Sequence, residues 1–497
     1  MPHMRPAGLM VAVFVGFICF ISVLTVVAGL TGSVPAALAV SAVITTGSWF
    51  ALRRRLTALE EGAAGRGLLV LSGAATALAI FELTRLTIFT IAPGRVDFAA
   101  VPSSSFSRQH YCGTAYFVAG EVGREATNIY DNALYDRPDS VATAQRKPRT
   151  IDGFNVDVYE YPPPFLLLPR VVLHVAPDLL RFRMVWFGLS AASLLVAMLL
   201  AAAALPRARA TRAVLLMPLV WAGLTTISGL QMGNFQVMTL AISMAAMALF
   251  ARRKDAAGGA LLGFAVASKL FPGMLVLYLA VRGAWRPVVA TCLAGLVIAL
   301  LALWDMGLAP FAAFVHHLPR LLGGEAFAAF RNPMAVAANL SIPGLVFKLR
   351  LFGLPDAGFG GAKVVGWIYT VIAIAVTVLL ARRGRDGPIP WMTVLIVATL
   401  RSPFLPNAYA GIAPLWLLTL LGSEDAARSR ALVWISLAWL AFEPIWPVDW
   451  PLDPRIAAAI NLVPMATMLA LVVVAIRREI GSAGATAFSS VTASVAR

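Results

Sequence analysis

Long apolar runs recur along the chain, several of them reaching the roughly 20 residues a helix needs to cross hydrocarbon, and short basic clusters separate them. No soluble domain tolerates this pattern. A chain that crosses lipid must satisfy every backbone polar group internally, so only helices or a closed barrel remain. Barrel strands alternate with a period of two, which these runs do not. Hydrophobic residues are 60% and charged residues 13% of the 497, with a mean hydropathy of +0.81. The sequence therefore predicts an all-α polytopic membrane protein.

The net charge of +16 would point to nucleic acid in a soluble chain. Here the excess lies in clusters beside apolar runs: Arg53 to Arg55, Arg207 to Arg212, Arg252 to Lys254, Arg382 to Arg385 and Arg477–Arg478. That is the pattern of cytoplasmic loops. Counting alternations gives about 12 crossings of roughly 20 residues each, with both termini cytoplasmic. Residues 8–30 read as a span rather than a signal peptide, because no small-residue cleavage pattern follows. One segment breaks the alternation. Residues 256–281 must start and end on the same side, and Lys269-Leu-Phe-Pro272 divides them into halves of about 18 Å, too short to cross. A re-entrant hairpin with Lys269 deep in the protein is expected, since irregular backbone at that depth must be shielded or line a cavity. In residues 67–92, Glu82 and Arg85 share a helix face and can pair.

The longest polar stretch, Arg95 to Phe165, follows the third helix, within an outer loop expected over 93–182. A second outer loop covers 305–362, and residues from 481 to 497 read as a disordered tail behind a single membrane domain. Cys19, Cys112 and Cys292 make no disulfide framework. Five histidines show no metal spacing, and the adjacent His316–His317 pair is placed at the interface.

Four outer-facing clusters remain: Asp97-Phe98, Tyr159 to Pro163, Gln231 to Gln236 and Arg401 to Asn407, with Lys269 approaching from the hairpin. Together they supply what transfer from a membrane-bound phospho-sugar needs. A carboxylate takes the acceptor proton. A cation offsets charge on the departing phosphate. Amides and aromatic rings hold the sugar. Each residue also has a plainer role: Asp97 as a solvated acid, Lys269 as a snorkelling cation, Gln231 and Asn234 as turn-fillers, and Arg401 as a brace for the SPFLPN break.

On these motifs the chain resembles the polyprenol-phosphate-sugar-dependent GT-C glycosyltransferases of family 87 (DUF2029), which include mycobacterial mannosyl- and arabinosyltransferases. The resemblance spans roughly Asp97 to Asn407. It rests on DF at 97–98, NIYD at 128–131, YPPPFLLLP at 161–169, QMGNFQ at 231–236, the glycine-rich run ending SKLFPG at 268–273, and RSPFLPN at 401–407. It implies a GT-C-like fold and a polyprenyl-phosphate-sugar donor on the outer leaflet of a bacterial cytoplasmic membrane. The acceptor is an envelope glycolipid or polysaccharide, and the sugar a hexose or pentose, mannose-like by family precedent. It also implies Asp97 as catalytic base, with Asp131, Asp157 and Glu160 as substitutes. Lys269 and Arg401 are assigned to donor phosphate; Tyr161, Gln231, Asn234 and Asn407 to sugar or acceptor. With a monophosphate leaving group and built-in cations, no obligatory metal or other cofactor is expected. The chain departs from the family pattern in three places. The two helices before residue 60 are additional, part of 100–125 looks inserted, and the late motif continues as Phe404-Leu405-Pro406-Asn407, so no histidine role carries over. A transporter or flippase of lipid-linked sugars is the alternative, motivated by the broken helix. A polymerase or ligase using a lipid diphosphate is a third.

Overall fold

The computed structural model describes residues 6–56, 64–123, 125–143, 145–354, 357–445 and 449–495. It is helical almost throughout. Among the described residues, six helices are long and apolar enough to cross a membrane: Pro6–Thr31, Arg66–Ile91, Leu179–Ala202, Trp285–Met306, Phe359–Arg383 and Pro454–Gly481, the last through a turn at Asn461. Two further helices, Arg207–Ala222 and Leu224–Gln231, reach spanning length only together and are bent by 62° at their junction. The protein is thus a multi-pass helical membrane protein. Fewer helices than the expected dozen reach spanning length alone. Gln236–Ala251, Pro388–Thr399 and Ser429–Leu440 are shorter apolar helices.

The bend has a local cause. Gly223 lies where a Cβ would come within 2.7 Å of Leu415 Cδ1. The amide of Leu224, beginning the next helix, donates to Glu443 Oε2 at 3.1 Å.

The broken segment is as expected. Helices Asp255–Ser268 and Gly273–Val281 flank Lys269–Pro272, and Lys269 itself is extended, with φ −144° and ψ 131°. Packing fixes the direction of each arm. A Cβ on Gly259 would meet Ala290, and one on Gly263 would meet Thr291, Ala294 and Gly295. The first arm and helix Trp285–Met306 therefore run parallel in close contact, which small residues allow. The second arm ends at Val281, just before that helix begins, so the segment returns to the level where it started.

The basic clusters meet one another away from the hairpin tip. Arg209 and Arg478 both pair with Glu424, and Arg478 also pairs with Asp425. Arg282 donates to the carbonyls of Ala381 and Gly384. The stretch after Gly481, expected to be disordered, continues the helix Leu462–Val495, which contains no proline beyond Pro464 to stop it; residues 496–497 lie outside the described residues.

The polar loop after Arg66–Ile91 folds onto the helices around its own aromatic core. Short helices Ser105–Gln109 and Gly113–Val122 are followed by a two-stranded hairpin, Thr150–Ile151 with Phe154–Asn155. Its two-residue turn, Asp152-Gly153, has φ of 49° and 83°, the left-handed pair such turns demand. Part of the stretch expected to be inserted packs into this core. Tyr116 packs on Tyr161, Phe165 and Trp186 at the centre of this core.

Candidate active site

A cavity of about 820 Å³ opens where the segments assigned to the outer face converge. The loop and its hairpin contribute one wall, the QMGNFQ corner and the tip at Lys269 the floor, and residues 398–409 the opposite wall.

The corner depends on Gly233. Its φ is +61°, and a Cβ there would lie 2.3 Å from the Tyr111 ring. The Cys112 amide donates to the carbonyl of Met232 (2.8 Å), and the Trp186 indole to that of Gly233 (2.9 Å). Asn234 lines the cavity, and its amide nitrogen donates to Cys112 Sγ at 3.4 Å. Gln231 does not line it. Its side chain accepts from the amide of Ala100 (2.6 Å) and donates to the carbonyl of Ser107 (2.7 Å), so it ties the loop down. Both ends of this amide, expected to meet sugar, are engaged within the protein.

Lys269 is placed by the break in its helix. Its Nζ donates to Gln236 Oε1 at 2.9 Å and sits 5.0 Å from the centre of the Tyr161 ring, a cation–π distance. Tyr161 faces the cavity. Its hydroxyl accepts from Tyr116 (3.0 Å), and its carbonyl from the hydroxyl of Tyr130 (2.8 Å). Arg401, on the other wall, donates through Nε to Thr370 Oγ1 (2.7 Å) and lies 5.7 Å from the ring of Trp367. Gly366 makes room for it: a Cβ there would come within 3.1 Å of the guanidinium carbon. Trp367 is 63% exposed, so this rim of the cavity reaches a bare helix flank. Asn407 also lines the cavity, with its amide nitrogen donating to Asn461 Oδ1 at 2.8 Å.

Asp97 is elsewhere. It sits exposed on the turn Val96–Phe98 and is not among the cavity-lining residues. Arg85, paired with Glu82 at 2.8 Å, donates to the backbone carbonyls of Asp97 and Ala99. The expected Glu82–Arg85 pair thus holds the turn that carries the exposed Asp97 side chain. Among the described residues, the carboxylates lining the cavity are Asp157 and Glu160. Glu160 is committed to His317, with Oε2 2.6 Å from Nε2. Burial raises the pKa of Glu160, although the His317 hydrogen bond and charge oppose this. His317 is thereby buried rather than interfacial, and it stacks on Tyr130 at 4.6 Å. Asp157 is freer, with a side chain 34% exposed. Its Oδ1 accepts from the Val158 amide (3.0 Å) and lies 3.9 Å from Arg146, while its Oδ2 lies 4.0 Å from His110 Nε2. Its own amide donates to Thr114 Oγ1 at 3.0 Å, so the first turn of helix Gly113–Val122 fixes its backbone.

Residues 159–406 match the model of glycosyltransferase family 87. This segment belongs to that family. The family 87 segment contains Tyr161, Gln231, Asn234, Lys269 and Arg401; Asp97, Asp157 and Asn407 lie outside it. No curated protein matches the chain. Solved structures similar to it include ArnT from Cupriavidus metallidurans in the apo state, at 15% identity over 82% of this chain and 78% of that one, with a TM-score of 0.31. Another is the same protein bound to undecaprenyl phosphate, at 16% identity over 84% and 78%, with a TM-score of 0.32.

Proposed function

We propose that the protein is an integral membrane glycosyltransferase that moves a hexose or pentose from a polyprenyl-phosphate sugar to a hydroxyl of an envelope glycolipid or polysaccharide, at the outer face of a bacterial cytoplasmic membrane. The observation that carries this reading is a cavity, built mainly from the family 87 segment, that gathers the partly exposed Asp157 carboxylate with Lys269 and Arg401. The acceptor hydroxyl attacks the anomeric carbon, its proton passes to Asp157, and the bond from that carbon to the phosphate oxygen breaks. Polyprenyl phosphate leaves with the bonding pair. A positioned base contributes about 10²–10⁴ in rate. Lys269 and Arg401 meet the phosphate, where charge grows as the bond breaks. The bare flank at Trp367 lets the polyprenyl tail stay in lipid while its phosphate reaches Arg401. Tyr161, Asn234 and Asn407 line the space left for sugar and acceptor.

Transfer by this route needs no divalent metal, because side-chain cations stand where a metal would offset the phosphate. The test is a membrane preparation supplied with radiolabelled polyprenyl-phospho-sugar. A covalent product that forms undiminished in EDTA is expected. Labelled sugar accumulating inside sealed vesicles with no covalent product would replace the transferase by a transporter of lipid-linked sugars.

A further inference from the structure

Cys112 sits in the cavity wall beside an imidazole and a carboxylate, the other two side-chain types that bind zinc-class cations. His110 Nε2 is 3.4 Å from Cys112 Sγ and 4.0 Å from Asp157 Oδ2, and one donor atom from each residue lies within 4.8 Å of the others. A tetrahedral zinc-class ion, with bonds of about 2.3 Å to sulfur and 2.0 Å to nitrogen, holds those two atoms about 3.5 Å apart. The sulfur–nitrogen spacing is already there. The carboxylate must close by roughly 0.6 Å on the nitrogen, since oxygen and nitrogen on one such ion lie about 3.4 Å apart, and by up to about 1.3 Å on the sulfur, where the spacing is within 4.8 Å and about 3.5 Å is needed.

The supports resemble those that surround bound metals. The His110 ring is stacked on Phe106, with centroids 4.5 Å apart and planes 14° from parallel, which aims Nε2 inward. Asn234 gives the sulfur an N–H donor. On Asp157, Oδ1 is occupied by the Val158 amide and Arg146, which leaves Oδ2 for a cation. Such partners orient ligands and raise affinity. All three residues line the cavity, so a fourth position faces its interior.

We propose that His110, Cys112 and Asp157 form a binding site for a thiophilic divalent cation of the zinc class, with one position open to the cavity. Ligation releases the thiol proton to solvent and forms a sulfur–metal bond. Three protein ligands with an open fourth position are the arrangement of exchangeable rather than closed structural sites. One consequence rests on the transferase reading above: a cation on Asp157 removes the base, so occupancy suppresses transfer.

The test uses the full-length purified protein titrated with Co²⁺. A thiolate-to-cobalt charge-transfer band saturating at one equivalent and abolished by added Zn²⁺ is expected. The band should survive in the doubly substituted Cys19→Ser, Cys292→Ser protein and vanish in Cys112→Ser. Asn234→Ala should retain it with about 10-fold or greater loss of affinity. Thermal melting of each variant shows whether it is folded. A folded wild type with no such band, or a band that persists in Cys112→Ser, overturns the site. The titration needs no sugar donor, so it stands or falls independently of the transferase reading. If transfer proceeds unchanged with zinc bound, the suppression is wrong.

Discussion

Two acidic stretches of the same loop differ in what holds them. Around Asp97 the backbone is fixed and the side chain is idle: Arg85 grips the carbonyls of Asp97 and Ala99, and Gln231 grips the amide of Ala100. Around Asp157 the backbone is fixed too, by Thr114, but the carboxylate faces the cavity between Arg146 and His110. An acid can thus sit in a well-ordered polar loop for either reason, and here the two differ in whether the residue lines the cavity. The first stretch anchors; the second can react.

Variants can break or sharpen that contrast. The largest effect among the supporting groups should come from Lys269→Met, which removes a cation from the departing phosphate while leaving the hairpin backbone intact. A loss of about 10²–10³ in kcat is expected for one such stabilising group, measured as sugar transfer per folded molecule. Gly233→Ala should act on the reacting side through structure. It forces a residue at φ +61° and a Cβ against Tyr111, next to Cys112. A destabilisation of about 2–3 kcal/mol is expected from the strain, read as thermal or denaturant unfolding in detergent. Gln231→Leu acts on the anchoring side. Stripping its hydrogen bonds to Ala100 and Ser107 should cost about 1–3 kcal/mol, with kcat per folded molecule nearly unchanged. A selective collapse of kcat would return Gln231 to the binding surface.

How legible this was in the sequence depended on the range of each contact. The Lys269 break could be read because proline and the charge pattern are local and the alternation left no other solution. Gln231 and Asn234 sit in one short motif, yet one ties the loop and the other lines the cavity. Only the position of residues 100–112, far along the chain, decides which. The Asp97 assignment rested on a carboxylate just beyond an apolar run, which looks the same in sequence whether or not it lines a cavity. Asp157 was named only as a substitute. Its local signal was the Asp152-Gly153 turn, which marks a hairpin and therefore an ordered chain leading into residues 155–161. The meeting of Cys112 with Asp157, 45 positions apart, and of Glu160 with His317, 157 apart, required the folded loop.

The smallest effect concerns Asp449, which fastens the start of the 105–109 helix. Its carboxylate accepts from the Ser104 and Ser105 hydroxyls and from the amides of Ser105 and Phe106. Partial burial alone would raise its pKa, but these hydrogen bonds outweigh that and hold it down at about 2. A depressed carboxylate stabilises above its unfolded value of about 3.9 and loses that contribution as pH falls toward its folded value. The stability difference between wild type and Asp449→Asn should therefore be flat from pH 8 to 5 and shrink below about 4. Melting curves across pH check this, and a difference that changes between pH 8 and 6 would contradict it.

The most direct test of the central claim sets Asp157→Asn beside Asp97→Asn in one transfer assay, in membranes with matched expression. Loss of the base should lower transfer by about 10²–10⁴ in Asp157→Asn, while Asp97→Asn stays within a few-fold of wild type. The reverse pattern, with Asp97→Asn inactive and Asp157→Asn near wild type, would move the chemistry to the turn that here only anchors the loop.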